Sequence, residues 1–464
     1  MKGVNSWSFR PYTELYKQER GVNPYICRLA PFAGGFELEF IDNGAPDAAH
    51  TLLLRVRGTE AFEKYPLEKN TFKLDGLEDL TDYELCVERA DGKRSEVRLL
   101  RTGWVPGKVI NYLHPEDPAY AFSGRYLCSP SILRLPSGRI LASMDVHAGD
   151  TPQNLTLIFY SEDDGESWHY LTELFPCFWG KMFLADGKLY MLGCSNEYGD
   201  LLIGRSDDEG ATWTMPTVLF RGAAHINECG LHRAPMPVEI SHGRIMTDIQ
   251  YGAWRKKNMT DGIVSAPIGC DLLDASNWTC SEFWDVHNHP DDPLIDGVIG
   301  GIEGNVVTGP DGEVYDILRY ADGKSLKLRF DPENPEAEMT FAGLIDIPTT
   351  TSKCNILYDR QSGLYYALVS FLKEEPKTLR NLLSLVVSPD LEEWRLVKHL
   401  LDWSEDDPQK IAFQYVDFCF DGDDILYQSR TAFNEANSFH NNNYSTFHRI
   451  KNFREIEDFG DFVK

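Results

Sequence analysis

The sequence lacks a long hydrophobic run. The first twenty residues, MKGVNSWSFRPYTELYKQER, contain no continuous apolar stretch after their basic residue, and a secretory signal or a membrane span would need one. We therefore expect neither, and a cytoplasmic location is the expectation that follows. At 42% of 464 residues, hydrophobic side chains are still numerous enough to fill a sizeable core.

Paired cysteines and metal-ligand spacings are also missing. The ten cysteines stand singly and no C-x-x-C occurs, so free buried thiols fit the sequence better than a disulfide framework or a zinc site. Three histidines or acids at ligand spacing are not found either. We expect no metal and no other cofactor.

Positive charge is scarce in this chain. Against 72 Asp and Glu residues there are 45 Lys and Arg, which gives a formal net charge of −27 at pH 7. Nucleic acids and anionic membranes would repel such a chain, so neither is expected as a partner. A small anionic ligand would need a local basic pocket. The sequence leaves the oligomeric state open.

Short β-like runs fill the first part of the chain. Between residues 21 and 103 the segments FELEF, TLLLRV, TFKL, YELCVER and EVRLLRT alternate with polar turns, a pattern typical of a small β-sandwich. The run around Gly76, Leu80 and Tyr83 resembles the fibronectin type III module with its tyrosine corner. Such a module implies a spacer or docking role without chemistry of its own. Residues 1–20 could pack against either domain.

A longer repeat occupies residues 104–464. An apolar strand, a glycine turn and a second apolar strand recur six times, at intervals of 49 to 69 residues. Repeats of this length without helical periodicity indicate a β-propeller with one four-stranded blade per repeat. The sequence therefore predicts an all-β protein, a six-bladed β-propeller with a small N-terminal β-sandwich. The turn glycines are Gly138, Gly187, Gly243, Gly312, Gly363 and Gly422.

The first two hairpins are each followed by the motif S-x-D-x-G-x-x-W. The matches run from Ser161 to Trp168 and from Ser206 to Trp213, and degenerate versions end at Trp278 and Trp394. This motif resembles the Asp box of sialidases and related propellers. The resemblance implies a structural role, in which the aspartate bonds backbone groups of a tight turn and the tryptophan packs between blades. None of these acids is predicted to be catalytic.

The fourth hairpin brings two opposite charges together. Glu303 lies eight residues before Asp311 in the turn and Arg319 lies eight after it, so a symmetric register makes them direct cross-strand neighbours. The direction of the chain places them at one mouth of the propeller channel. Polar residues of the upper loops and of the first strands converge on the same mouth, namely His147, Asp150, Arg255, Arg380, His440, Cys128, Arg233, Lys353 and Tyr415.

The propeller region, with this hairpin, resembles the sialidase superfamily. Ile302 to Arg319 reproduces the family pattern of a Glu, an apolar pair, Asp-Gly and an Arg, with its spacing. The resemblance implies a retaining exo-glycosidase that removes a terminal, acidic sugar. Tyr415 would be the nucleophile with Glu303 as its base, and Asp150 would be the acid. Arg319 and Arg380 would bind the carboxylate of the substrate.

One carboxylate-binding arginine of that family has no counterpart. Its R-I-P motif corresponds to Cys128-Ser129-Pro130 in this chain, with Arg125 three residues away. This loss, together with the unusual histidines and asparagines of the loops, suggests a pocket adapted to a sugar other than sialic acid. We predict four further substrate contacts, at Arg233, His147, His440 and Arg430.

Several alternatives stay open. Glu303 and Arg319 could form only a structural ion pair, Asp150 could cap a turn, and the Tyr415 hydroxyl could bond Arg430 as its cross-strand neighbour. Two other functions also fit. One is a propeller lyase that cleaves uronic-acid polymers with a Tyr or His base, and the other is a carbohydrate-binding propeller without activity. A carbohydrate is the expected partner in all three cases.

Overall fold

The computed structural model describes residues 22–222, 229–295, 298 and 300–456. The predicted N-terminal segment, residues 1–20, lies outside this range. Among the described residues the regular secondary structure is almost entirely β-strand, and the only helical segments there are short 3-10 turns at Trp254–Lys256, Ala275–Asn277, Val286–Asn288 and Phe453–Glu455. None of the helical segments in the described ranges has the length and apolar character to cross a membrane.

The first seven strands form two facing sheets. One sheet has the order β1-β2-β5 and the other β4-β3-β6-β7, and both bury leucines and aromatic residues between them, as a β-sandwich requires. The Tyr83 hydroxyl accepts a hydrogen bond from the Glu78 N–H at 3.1 Å. The strands are Tyr25–Phe32 (β1), Gly35–Ile41 (β2), His50–Val56 (β3), Glu63–Leu67 (β4), Thr71–Asp75 (β5), Asp82–Arg89 (β6) and Arg98–Arg101 (β7).

The remaining strands form six antiparallel sheets in chain order, which confirms the predicted six-bladed propeller with a small N-terminal sandwich. Blade one contains Tyr126–Arg134 (β9), Ile140–His147 (β10), Leu155–Ser161 (β11) and His169–Leu174 (β12). Blade two contains Phe178–Ala185 (β13), Lys188–Cys194 (β14), Leu201–Ser206 (β15) and Thr217–Phe220 (β16). Blade three contains Gly230–His232 (β17), Glu239–Ser241 (β18), Arg244–Gly252 (β19), Thr260–Pro267 (β20) and Thr279–Cys280 (β21).

Blades four to six complete the ring. Blade four contains Ile302–Thr308 (β22), Val314–Ala321 (β23), Lys324–Phe330 (β24) and Thr340–Asp346 (β25). Blade five contains Asn355–Asp359 (β26), Leu364–Ser370 (β27), Leu382–Ser388 (β28) and Arg395–Asp402 (β29). Blade six contains Ala412–Asp421 (β30), Asp424–Ala432 (β31) and Tyr444–Ile450 (β32). In blade four the inner strand β22 is buried almost throughout, whereas the outermost strand β25 is largely accessible.

The outermost strand of blade six comes from the other end of the propeller sequence. Lys108–Tyr112 (β8) pairs with β32, with Tyr112 opposite Tyr444. The first propeller strand therefore hydrogen-bonds the last, and the ring closes without leaving an open edge between its two ends. The predicted boundary at residue 103 falls between β7 and β8.

The two repeated turn motifs have clear roles in this architecture. All six turn glycines have a positive φ, between 61° and 97°, which glycine tolerates best. In blade one the Asp163 carboxylate accepts hydrogen bonds from the backbone N–H and the hydroxyl of Ser167, at 2.8 and 2.6 Å. Trp168 of the same turn is buried and contacts the Phe447 ring of blade six, with centroids 5.3 Å apart. The motif thus shapes a turn and joins two blades.

The sandwich packs on the side of the propeller. A buried ion pair joins Arg98 of β7 to Asp117 at 2.6 Å, and the Arg28 Nε donates to the carbonyl of Ile110 at 2.8 Å. Cys27 lies in one apolar cluster with side chains of blades one and six. All ten cysteines of the chain are free thiols.

Candidate active site

Four inner strands each contain an irregularity near their start. A register break interrupts the first strand of blades one, two, four and six. Each break contains one residue with a left-handed backbone, and these are Ser129, Trp179, Glu303 and Tyr415, with φ between 52° and 57°. Side-chain-bearing residues adopt this region at a cost of about 1–3 kcal/mol, and such strain clusters at functional sites. A bulge re-aims the side chain that it carries.

The bulge in blade four changes the predicted register of the hairpin. Arg319 lies opposite Ile302, not Glu303, because the pairing shifts between Ile302 and Asn305. The prediction of direct cross-strand neighbours was therefore wrong. The side chains nevertheless meet, since the Arg319 Nη1 donates to the Glu303 Oε2 at 2.9 Å.

Tyr415 joins this ion pair from blade six. Its hydroxyl donates to the Glu303 Oε1 at 2.6 Å and accepts from the Arg319 Nη1 at 3.0 Å. Burial by itself would raise the pKa of Glu303, but the Arg319 guanidinium and the hydrogen bond from Tyr415 outweigh it and hold that pKa below its usual range. Burial, and next the Glu303 carboxylate, raise the pKa of the Tyr415 phenol. The pair is therefore a protonated phenol against an ionised base.

Arg380 approaches the same phenol from blade five. Its Cζ lies 5.5 Å from the centre of the Tyr415 ring. One of its amino groups donates to the Gln414 side-chain oxygen and the other donates to the Thr351 carbonyl at 3.2 Å. Burial lowers the pKa of this guanidinium to about 10. Among the described residues no carboxylate forms an ion pair with it.

Arg430 reaches the cavity from the second strand of blade six. It lies opposite Gln414 in the register, and its Cζ is 5.0 Å from the centre of the Tyr415 ring. Its Nε donates to the Asn442 Oδ1 at 2.6 Å. The Tyr415 hydroxyl binds Glu303 and Arg319 rather than Arg430. Within the described part of the chain Arg430 has no carboxylate partner, and burial lowers its pKa.

Two histidines hold Arg430 in place. The His147 Nε2 accepts from the Arg430 Nη2 at 3.1 Å, and the His440 carbonyl accepts from the same group. Burial, followed by the nearby Arg430 charge, holds the pKa of His147 well below its usual range. The Arg430 charge likewise lowers the pKa of His440. Both rings are therefore neutral near pH 7, and neither competes with Arg430 for an anion.

These groups surround a cavity of about 480 Å³ at the channel mouth. Besides the residues above, its wall includes an aromatic side formed by Trp179, His232 and Trp254, and a second carboxylate, Glu197. The Trp254 Nε1 donates to the His232 Nε2 at 3.2 Å. Three guanidiniums and one ion-paired carboxylate thus share the lining with this aromatic wall, around a space large enough for a sugar ring.

Seven of the nine predicted site residues line this cavity. These are Glu303, Arg319, Arg380, Tyr415, Arg430, His147 and His440. Asp150 is exposed in the turn after β10 and does not line it. Arg233 is fully buried beside the cavity and binds the Ala234 carbonyl at 3.1 Å and the Thr247 hydroxyl at 3.3 Å.

Sequence reasoning missed Glu197 and the aromatic wall. Glu197 lies in the loop between β14 and β15, and Trp254 lies in the loop between β19 and β20. Loops between second and third strands were predicted to face the mouth, and both residues lie in such loops. In blade three the prediction named Arg255 rather than its neighbour Trp254. Trp179 is brought in by its bulge, which has no marker in the sequence.

Charged residues below the cavity join the blades. Asp417 of blade six is buried and accepts from the Lys181 Nζ of blade two at 2.6 and 2.7 Å. It also accepts from Asn355 of blade five and from the Ile132 N–H of blade one. The Lys353 Nζ donates to the Val416 carbonyl at 3.3 Å. In the described ranges no group of three or more His, Cys, Asp or Glu side chains is arranged to hold a metal ion.

No protein-family model and no curated protein matches the sequence. Solved structures do resemble it in three dimensions. A leech intramolecular trans-sialidase, complexed with 2,7-anhydro-Neu5Ac, is 11% identical, with a TM-score of 0.49 over 94% of this chain and 92% of that chain. The Hadza microbial sialidase Hz136 is 12% identical, with a TM-score of 0.48 over 94% and 98%. A Penicillium chrysogenum alpha-L-arabinanase, complexed with arabinobiose, is 12% identical, with a TM-score of 0.47 over 76% and 99%. At these identities the likeness does not indicate the activity of this chain.

Proposed function

We propose that this protein is an exo-glycoside hydrolase that removes a terminal sugar bearing a carboxylate, with retention of configuration. The observation that carries the proposal is the hydrogen bond from the Tyr415 hydroxyl to the Glu303 carboxylate, in a cavity that also holds two guanidiniums with no carboxylate partner among the described residues. The hydrogen bond supports a tyrosine nucleophile, and the guanidiniums support an acidic substrate.

Tyr415 and Glu303 have the geometry of a nucleophile and its base. A neutral phenol is a weak nucleophile, so it must lose its proton as it attacks. Glu303, which is ionised, accepts this proton while the phenolic oxygen forms a bond to the anomeric carbon. The glycosidic bond breaks, and its electrons leave with the aglycone oxygen, which takes a proton from an acid. Water then attacks the same carbon, the phenol leaves and regains its proton, and two inversions give retention.

The charge of the cavity favours an anionic sugar. Arg380 and Arg430 are 8% and 2% exposed, and burying a charged group without a counter-ion is costly. A substrate carboxylate between them would offset that cost. At about 4 Å and an effective dielectric constant of about 20, each charge pair contributes about 4 kcal/mol of Coulomb energy before desolvation. A tyrosine suits such a substrate because an anionic nucleophile would be repelled by its carboxylate.

The test compares wild type with Tyr415→Phe on 4-methylumbelliferyl glycosides of sialic acid, uronic acids and neutral sugars. We expect turnover of an acidic glycoside, retention observed by NMR, and a loss of roughly 10³-fold or more in kcat for the variant, the scale of losing a nucleophile. Tyr365→Phe is the matched control, because its hydroxyl donates to the Thr308 carbonyl at 2.8 Å away from the cavity.

Three results would overturn the proposal. An unsaturated product that absorbs in the ultraviolet would identify a lyase, in which Tyr415 acts as a base without a covalent intermediate. Sugar binding that Tyr415→Phe leaves unchanged, without turnover by wild type, would identify a binding protein. Hydrolysis of neutral sugars alone would contradict the role of Arg380 and Arg430.

A further inference from the structure

The retaining reaction needs a proton donor for the leaving oxygen, and the cavity offers few candidates. Within the described residues two carboxylates line it, Glu303 and Glu197. Glu303 binds both Arg319 and Tyr415 and stays ionised as the base. Asp150 lies outside the cavity, exposed in its turn. The lining therefore leaves one carboxylate that Tyr415 and Arg319 do not already engage.

Glu197 has the environment of an acid. It lies between β14 and β15 of blade two, and its Oε2 accepts a hydrogen bond from the Gln153 amide of blade one. Gln153 is itself fixed, because its backbone N–H donates to the Ser123 carbonyl at 2.9 Å. Glu197 is thus oriented by a neighbouring blade at the wall of the same cavity that holds the nucleophile.

The surroundings shift the pKa values of Glu197 and Glu303 in opposite directions. Burial raises the pKa of Glu197 above its usual range, although the Gln153 and Tyr198 side chains and the Arg255 charge counter part of the rise. The pKa of Glu303 is lowered. Two carboxylates with pKa values pushed apart in one cavity indicate an acid and a base.

We propose that Glu197, positioned by Gln153, is the general acid and base of the reaction, an inference that rests on the proposed function. In the first step the Glu197 proton passes to the aglycone oxygen as the glycosidic bond breaks. In the second step the Glu197 carboxylate takes a proton from the attacking water as the bond to Tyr415 breaks. Glu197 ends the cycle protonated, as it began.

The decisive variant is Glu197→Gln, tested on two leaving groups. For an alkyl-linked disaccharide, whose leaving oxygen needs the proton, kcat/KM is expected to fall about 10²–10⁴-fold. For a 4-nitrophenyl glycoside of the same sugar the first step needs little assistance, so kcat/KM falls less than about tenfold. A burst of 4-nitrophenol followed by slow turnover is expected, and azide, which needs no base, accelerates that slow phase.

The pH profile supplies an independent readout. Loss of the Glu197 proton sets the alkaline limb of kcat/KM in wild type, so this limb disappears in Glu197→Gln. Gln153→Leu removes a hydrogen bond that favours the ionised carboxylate, so the pKa of Glu197 rises and the alkaline limb moves to higher pH. A residue that only supports the fold would not shift the limb in this way.

Asp150→Asn is the competing variant. If it shows the leaving-group dependence and azide rescue while Glu197→Gln does not, the assignment to Glu197 is overturned. Equal losses on both leaving groups in Glu197→Gln, without a burst, also contradict it. The proposed function fails separately, when Tyr415→Phe retains activity. If Tyr415→Phe is inactive while Glu197→Gln keeps full activity, the proposed function stands and only the assignment of Glu197 fails.

Discussion

The ion pair between Lys181 and Asp417 should be a main source of propeller stability. The Asp417 side chain is 0% exposed and that of Lys181 is 9% exposed, so Lys181→Met leaves a buried carboxylate without its counter-ion. Breaking a buried pair in this way costs about 3–5 kcal/mol. We expect the lower part of that range, about 3 kcal/mol, because Asn355 and the Ile132 N–H still donate to Asp417.

A second lysine, Lys353, should limit the free-energy cost of losing Lys181. Burial, and also the charge of Lys181, lower the pKa of Lys353, whereas Asp417 raises it. Without Lys181 the repulsion disappears, and Lys353 holds its proton more firmly as the remaining cation near Asp417. The double variant Lys181→Met with Asp417→Asn removes both charges, so it should be more stable than Lys181→Met alone.

Urea unfolding followed by tryptophan fluorescence and circular dichroism measures these differences. Lys324→Met is the matched control, because the side chains of Lys324 and its partner Asp346 are 39% and 67% exposed, and exposed pairs contribute less than about 1 kcal/mol. The reasoning is refuted if Lys181→Met costs no more than the control. It is also refuted if the effects of the two substitutions in the double variant simply add.

Three further predictions concern the site and its surroundings. Glu303→Gln removes the proposed base of Tyr415, so kcat for an acidic aryl glycoside should fall about 10²–10⁴-fold. An unchanged kcat would make the contact structural. Arg380→Met and Arg430→Met should each weaken binding of a carboxylate-bearing sugar by about 2 kcal/mol, the lower end for a buried charge pair, and leave a neutral analogue unaffected in calorimetric titrations. Burial raises the pKa of Asp145 to about 7, against about 3.9 when unfolded. The folded state therefore binds the proton more tightly, and stability falls as pH rises from about 4 to 7, by at most about 1.4 kcal/mol per pH unit. Asp145→Asn should flatten this slope in unfolding experiments, and an unchanged slope would assign it to other groups.

The propeller could be predicted because its turns need particular residues. The six glycines have backbone angles that other residues adopt at a cost, and the Asp163 turn needs a short acceptor side chain. Two departures from the regular four-stranded blade had no such marker in the sequence. Blade three divides its inner strand into β17 and β18, and blade six takes its outer strand from β8. Pairing between distant segments depends on the whole ring and leaves little trace in local sequence.

The grouping of residues at the candidate site could be predicted as far as topology alone decides it. The starts of the first strands and the upper loops do meet at one mouth, which explains why Tyr415, Glu303 and Arg319 come together. The bulges in the inner strands determine the remaining geometry of the candidate site. They place a side-chain-bearing residue at positive φ, so neither glycine nor a turn motif marks them. Whether a loop residue such as Asp150 faces the cavity or the solvent depends on loop conformation, which residue type does not determine.

Cys128 stands where the sequence resemblance implied an arginine, and Arg430 bears on that difference. Cys128 packs in one buried cluster with Tyr415, and the Arg430 Cζ lies 5.0 Å from the centre of the Tyr415 ring, so both side chains adjoin the same phenol. Blade six thus supplies a guanidinium close to the place where blade one has a thiol. The cavity holds three guanidiniums, although the R-I-P motif is absent. If a substrate carboxylate lies between Arg380 and Arg430, both stacked near Tyr415, it is displaced from blade one toward blade six. The arginines would still bind the acidic group of a sugar placed in that way. The sugar would, however, turn a different edge toward the aromatic wall, and the shape of that edge would decide which acidic sugar fits.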